Sequence, residues 1–181
     1  MAIGPSNLLG PLNPLDSTSG ARVTIDYIHA RTHEGLEYSA TIYQDDLAAA
    51  SALNLFITAP ASGVEAHVTF SLSVDAPGRW ILSDGTDASG GTALTEVNHF
   101  RNKQTSNAAS TVITSDALVT STGTILEQGL IGAAGKFSIA GGAEDSRREW
   151  IFEGGEEGIV QFIADASCRC ALHAHWYEVE D

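Results

Sequence analysis

The sequence predicts an all-β protein: an antiparallel β-sandwich of the jelly-roll kind, with an extended N-terminal arm. Three observations lead there. Val64 to Val74, VEAHVTFSLSV, alternates without a break, with Val64, Ala66, Val68, Phe70, Leu72 and Val74 on one face and Glu65, His67, Thr69, Ser71 and Ser73 on the other. Strict period-two alternation marks a strand with one buried and one wet face, and such strands belong to antiparallel sheets. The composition is rich in Gly, Ser, Thr and Ala, which is the usage of strands and turns. Finally, about eight to ten short apolar segments are separated by turn signals at the spacing of a sandwich or jelly roll.

In chain order, residues 1–20 contain Pro5, Pro11 and Pro14 among small polar residues, so regular structure is not expected there. They read either as a solvated tail or as an arm that orders on a neighbouring subunit, with Leu8, Leu9, Leu12 and Leu15 as its apolar anchors. Residues 21–181 read as one β domain, long enough to bury a core without disulfides or metals. Val23, Ile25 and Tyr27 alternate as a first strand, and Leu36, Tyr38, Ala40 and Ile42 as a second, with a turn or bulge at Gly35 between them. The following QDDLAAASA fits either a turn or two of helix capped by Asp45 or Asp46, or a loop. Leu53, Leu55 and Ile57 make a third strand ended by Pro60 and Gly63, ahead of the alternating strand already described.

Pro77-Gly78 then turns the chain into RWIL, and SDGTDASGGT reads as a polar hairpin tip around Asp84-Gly85. Glu96 to Ser110 carries few apolar residues and reads as a long loop. Strands are expected at 111–114, 117–120 and 123–131, followed by the Gly-rich irregular stretch GAAGKFSIAGGAEDSRR. EWIF, GIVQFIA and CRCALHAHWYEV complete the set. In the last of these Cys168, Cys170, Leu172, Ala174 and Trp176 face one way, and Arg169, His173, His175 and Tyr177 the other.

Charge and cysteine usage exclude whole classes of function. With 9 Lys and Arg against 23 Asp and Glu, the net charge is -14. No positive face is available for phosphates, so nucleic acid is not an expected partner. There is no apolar run of ~20 residues for a membrane span. The N-terminus, MAIGPSNLLGPLNPLD, lacks the basic start and apolar run of a secretory signal, which points to synthesis in a cytoplasm. Cys168 and Cys170 lie on the same side of one strand, about 6.6 Å apart, with poorly converging bonds. They are expected to be reduced and packed.

No catalytic constellation emerges. The Cys168, Cys170, His173, His175 group has zinc-ligand chemistry, but strand alternation puts its thiols and imidazoles on opposite faces. The carboxylate pairs Asp45-Asp46, Asp84/Asp87, Glu144-Asp145 and Glu156-Glu157 fall in turns, where a solvated charge is the ordinary case. G-x-S-x-G and G-x-G-x-x-G motifs are missing. A cupin-like metal enzyme needs inward histidines, whereas His67, His173 and His175 are expected on outer faces. The chain therefore reads as a non-enzyme with no cofactor and no metal.

Five segments together resemble a group of small structural proteins from tailed bacteriophages. They are RTHEGLEYSA (31–40), VNHFRNKQTS (97–106), SDALVTSTGTIL (115–126), REWIF (148–152) and HAHWYE (173–178). In that group a charged HEG leads into an early strand, an Asn-Arg-Asn-like loop follows the central hairpin, and a Trp-containing strand precedes the last two. Here the loop reads Phe-Arg-Asn-Lys, which places Arg101 and Asn102 at the matching positions. The resemblance implies a head decoration, or cement, protein on the outer surface of the virion, made in the host cytoplasm. Its partners would be the major capsid protein and itself, as a homotrimer. Contacts would come from Leu8, Leu9, Leu12 and Leu15 of the arm and Arg101 and Asn102 of the loop, and the loops 83–92, 98–110 and 132–147 would be capsid-facing or solvent-facing rims. The alternative is a receptor- or carbohydrate-binding β module of a phage head or tail fibre.

Overall fold

Antiparallel pairing in this chain is nested, so that the polypeptide folds as one long hairpin rolled up on itself. A computed structural model of the protein describes residues 27–61, 63–103, 107–132, 138–141 and 149–180. Its elements are α1 (Tyr27–Glu34), β1 (Glu37–Leu47), β2 (Ala52–Thr58), β3 (Val64–Val74), β4 (Gly78–Asp84), β5 (Ala88–Ser89), β6 (Thr92–Ala93), β7 (Val97–Asn98), a 3-10 turn (Arg101–Lys103), β8 (Val112–Ser115), β9 (Leu118–Val119), β10 (Thr124–Ile131), β11 (Ser138–Gly141), β12 (Trp150–Phe152), β13 (Glu157–Ala164) and β14 (Cys168–Glu180). The innermost pair is β4 with β10; outside it β3 pairs with β11 and β12, then β2 with β13, and outermost β1 with β14. Successive pairs fall alternately into two sheets, with orders β11-β3-β14-β1-β7, where β12 also pairs β3, and β10-β4-β13-β2-β8-β6. That connectivity is a jelly roll.

The core is the space between the sheets. Tyr38, Ala40, Ala66, Val68, Leu72, Val74, Cys170, Leu172, Ala174 and Trp176 fill it from the first sheet, and Leu53, Leu55, Ile57, Leu82, Ile113, Val160 and Phe162 from the second. Tyr38 and Trp176 are cross-strand neighbours whose rings stack with centroids 5.6 Å apart. Glu178 closes one end from the core side of β14. Its buried carboxylate accepts hydrogen bonds from the backbone amides of Ser110 and Thr111, both at 2.8 Å, and so ties the entrance of β8 in one sheet to β14 in the other.

The all-β class, the sandwich and the alternation of β3 and β14 are as the sequence predicts. Several local readings are corrected. The expected first strand is replaced at Tyr27 by α1, and residues 21–26 lie outside the described residues. The helix ends in a Schellman arrangement: Leu36 N donates to Arg31 O and Gly35 N to Thr32 O, both at 3.0 Å, with Gly35 at φ 76°. Glycine alone takes that conformation without strain from a Cβ. Around QDDLAAASA, β1 runs on to Leu47 and a turn follows in which Ala50 adopts φ 62° and donates to Ala164 O.

The tip at Asp84-Gly85 is not a local hairpin. Both edges of β4 are already taken, by β10 and β13, so the chain cannot return along it. Instead β5 pairs with β9 and β6 with β8. The long loop contributes β7 to the open edge of β1, and the Gly-rich stretch contributes β11 to β3. Phe70 lies on the core face as expected but is only partly buried against the core. The expected arm, with Leu8, Leu9, Leu12 and Leu15, lies outside the described residues.

Leu72 is 4 % exposed at the centre of this core. Leu72→Ala is expected to lower the unfolding free energy by about 2–5 kcal/mol, read by urea denaturation. Phe70→Ala is expected to cost less than the ~3–5 kcal/mol of a fully buried Phe.

Candidate functional site

The two sheets differ on their outer faces. On the second sheet Phe56, Ile159 and Ala117 form a small apolar cluster covered by Ala88 of β5 and Val119 of β9. The first sheet is polar outside and collects histidines. Reading across it, Glu37 is opposite Tyr177, which is opposite His67; Ser39 is opposite His175 and then Thr69; Thr41 is opposite His173 and then Ser71. The remaining three histidines, His99 after β7 and His29 and His33 in α1, belong to segments laid beside this face. Thr32 Oγ1 of the helix donates to Glu37 Oε2, and the His33 ring lies 6.5 Å from that of Phe100. All six histidines of the chain are thus in or beside one sheet face.

Glu37, His99 and His175 form the densest group. Gly35 places Glu37 at the first position of β1, where its side chain is only 6 % exposed. His175 Nε2 lies 2.7 Å and His99 Nδ1 3.6 Å from Glu37 Oε1. His99 reaches this position because Asn98 shapes the turn beneath it. Buried Asn98 accepts from Phe100 N at 2.9 Å through Oδ1, and its Nδ2 donates to Gly35 O and Asn107 O at 2.8 and 3.0 Å. This is an Asx-turn, in which the side chain substitutes for a backbone partner. His99 N also donates to Glu37 O at 2.9 Å. The far ring nitrogen of His99 lies 3.0 Å from Ser39 Oγ, and the His99 and His175 rings are 4.8 Å apart. Burial lowers the His99 and His173 imidazoles from the ordinary histidine value; in His99 the Glu37 carboxylate opposes the shift and His175 adds to it, and in His173 His175 and His99 add to it.

A second group surrounds His67. Its Nε2 lies 3.2 Å from Glu65 Oε2 and its Nδ1 3.3 Å from Glu149 Oε2, and its ring stacks on Tyr177 at 4.7 Å. Tyr177 donates its hydroxyl proton to Glu149 at 2.8 Å.

Outward placement of His67, His173 and His175 is as the sequence predicts. Cys168 and Cys170 are buried free thiols on the opposite face, as expected. Arg101 and Asn102 lie exposed in the 3-10 turn that follows His99 and Phe100, with Arg101 Nη1 donating to Asn98 O at 3.4 Å. Sequence reasoning missed Glu37 and His99. Glu37 and Ser39 alternate on the same side as a signal for the outer face, but nothing local joins them to a histidine more than sixty positions away. Comparison of the chain with protein-family models, with curated proteins and with solved structures returns no match in any of the three.

Two core acids make an alkaline test of the interior. Burial first, and then the neighbouring Cys168, push the Cys170 thiol from its ordinary 9.0 up to about 12. Burial, with Glu178 and Glu96 nearby, pushes Tyr38 from 10.0 to about 12. Each folded value lies above the unfolded one, so the stability these groups contribute is intact below pH 9 and is lost as pH rises toward 12. Urea midpoints are expected to fall above about pH 9, less steeply in Cys170→Ala.

Proposed function

We propose that this chain is a structural virion protein: a decoration or cement protein that binds the outer surface of a phage head, stabilises contacts between capsomers and acts as a homotrimer on the major capsid protein. The observation that carries the reading is the division of labour in the sandwich. Trp176, Tyr38, Phe162, Leu53, Leu55 and Ile57 are fully buried between the sheets, so the space in which jelly-roll enzymes hold small ligands is occupied by the protein's own side chains. Binding is left to the outside. There, large apolar side chains stand in water on strands at the sheet edges: Leu130 (88 % exposed) and Ile125 (50 %) on β10, and Ile151 (53 %) on β12. Such side chains on edge strands suit association with other subunits.

The phage resemblance supports the same reading, and the jelly roll it implies is the fold of this chain. Three of the five segments that carry it, 31–40, 97–106 and 173–178, contribute Glu37, His99 and His175 to one site. The net charge of -14 suits a protein that docks on basic shell patches and stays off packaged DNA. Symmetric copies let one weak contact act several times at once. Among the described residues no helix is long and apolar enough to cross a membrane. Of the two loop aromatics, Phe100 is half-buried beside His33 and Phe137 lies outside the described residues, so carbohydrate binding gains no support from them.

Co-sedimentation with shells that lack the protein tests the reading. Saturable binding is expected, at a copy number matching the lattice, and removal of residues 1–20 is expected to weaken attachment while leaving the β-sheet circular dichroism unchanged. Failure to bind shells, with the protein found on tails or fibres, would replace decoration by receptor or carbohydrate binding.

A further inference from the structure

The buried carboxylate of Glu37 has an unusual set of partners. Its oxygens meet Thr32 Oγ1, His175 and His99, and both charged partners are histidines. A buried carboxylate is costly unless its oxygens are hydrogen-bonded or bound to a cation. The three groups also come from separate parts of the chain: the start of β1, the middle of β14 and the turn after β7. One potential ligand atom from each lies within 4.8 Å of the others.

We propose that Glu37 Oε1, His99 Nδ1 and His175 Nε2 form a binding site for a divalent transition metal of the zinc class on the outer face of the first sheet. Two imidazoles and a carboxylate are a ligand set such ions take, whereas magnesium and calcium prefer oxygen alone. With metal–ligand bonds of about 2.0–2.1 Å, tetrahedral ligands sit ~3.3 Å from one another. The 3.6 Å between Glu37 and His99 is already near that value, and the 2.7 Å between Glu37 and His175 needs a small opening.

The outer partners are also in place. In the tautomer with its proton on Nε2, His99 donates a hydrogen bond to Ser39 Oγ and keeps the lone pair of Nδ1 free, while Thr32 donates to Glu37 Oε2 and leaves Oε1 for the ion. Second contacts of this kind orient ligands and fix the histidine tautomer. The side chains of His99 and His175 keep 34 and 28 % of their surface exposed, so ions can enter from solvent and water can complete the coordination. A bound ion would fasten the turn carrying His99, Arg101 and Asn102 onto β1 and β14. The expectation of no metal rested on the opposite faces of the thiols and imidazoles in one strand and on the outward histidines, whereas this site gathers outward groups from three elements.

The site is independent of the virion reading and is tested without shells. Chelator-treated protein carrying no histidine tag is titrated with Zn²⁺ by calorimetry and with Co²⁺ by visible absorption. The expected result is one equivalent per chain, a four- or five-coordinate Co²⁺ spectrum without thiolate charge-transfer bands, and a melting temperature raised by Zn²⁺ but not by Mg²⁺. Glu37→Gln and His175→Ala are expected to weaken binding by at least about 100-fold, and Ser39→Ala by about 10-fold. His33→Ala and His67→Ala should leave affinity unchanged. The Co²⁺ spectrum of the unaltered protein decides the question even where a variant fails to fold. Absence of stoichiometric binding, thiolate bands, or binding that survives Glu37→Gln and His175→Ala but is lost in His33→Ala or His67→Ala would overturn the assignment.

Discussion

The structure depends on one constraint: β14 is hydrogen-bonded along nearly its whole length on both sides, to β1 and to β3. A strand fixed by two neighbours cannot slip, because a shift of one residue would send every side chain to the wrong face. The alternation of thirteen residues from Cys168 to Glu180 therefore decides what is core and what is surface for the whole first sheet. Cys170, Leu172, Ala174 and Trp176 go inside, and His173, His175 and Tyr177 go outside. Because β14 is the last strand and β1 the first among the described residues, this pairing joins the two ends of the rolled hairpin. The sequence separation of its contacts is large, which is the topology of slow-folding β proteins.

Closure also accounts for the different outer faces. The long excursion between β4 and β10 returns twice to the second sheet, through β6 on β8 and through the β5–β9 pair over Phe56 and Ile159. That sheet is covered by apolar contact. The first sheet receives a polar cover instead, from α1 and the turn after β7, whose contacts to it run through Thr32, Asn98 and His99. Polar covers are directional: each hydrogen bond fixes one side chain at one angle. An outer face built this way holds a defined constellation of side chains where an apolar one holds area.

Legibility in the sequence follows the range of the interactions. Strands β3 and β14 are readable because alternation is a local signal that their packing agrees with. The helix at Tyr27–Glu34 is not, because YIHARTHE has no apolar periodicity. Its visible signal is the stop, Gly35, with Arg31 and His33 in the last turn. The reading of Asp84-Gly85 as a hairpin fails for the opposite reason: the dipeptide turns the chain, but the occupancy of both edges of β4 is a fact about residues up to eighty positions away. The histidine face was legible by halves. Strand period put His67, His173 and His175 outside; only the nesting of pairs brings Glu37 and His99 to them.

Two buried glutamates show what the resulting geometry means chemically. Glu178 and Glu37 are each 5 % exposed, and neither has a lysine or arginine partner among the described residues. Glu178 is held by backbone amides of Ser110 and Thr111, donors fixed in place that neither titrate nor leave, so its charge acts as a rivet between the sheets. Glu37 is held by a hydroxyl and two imidazoles on the side open to solvent. Imidazole can give up its place to a metal ion or take a proton, and an amide can do neither. The same residue type at the same burial is therefore structural on one face of the sheet and exchangeable on the other. What separates the two is the parity of their positions along paired strands.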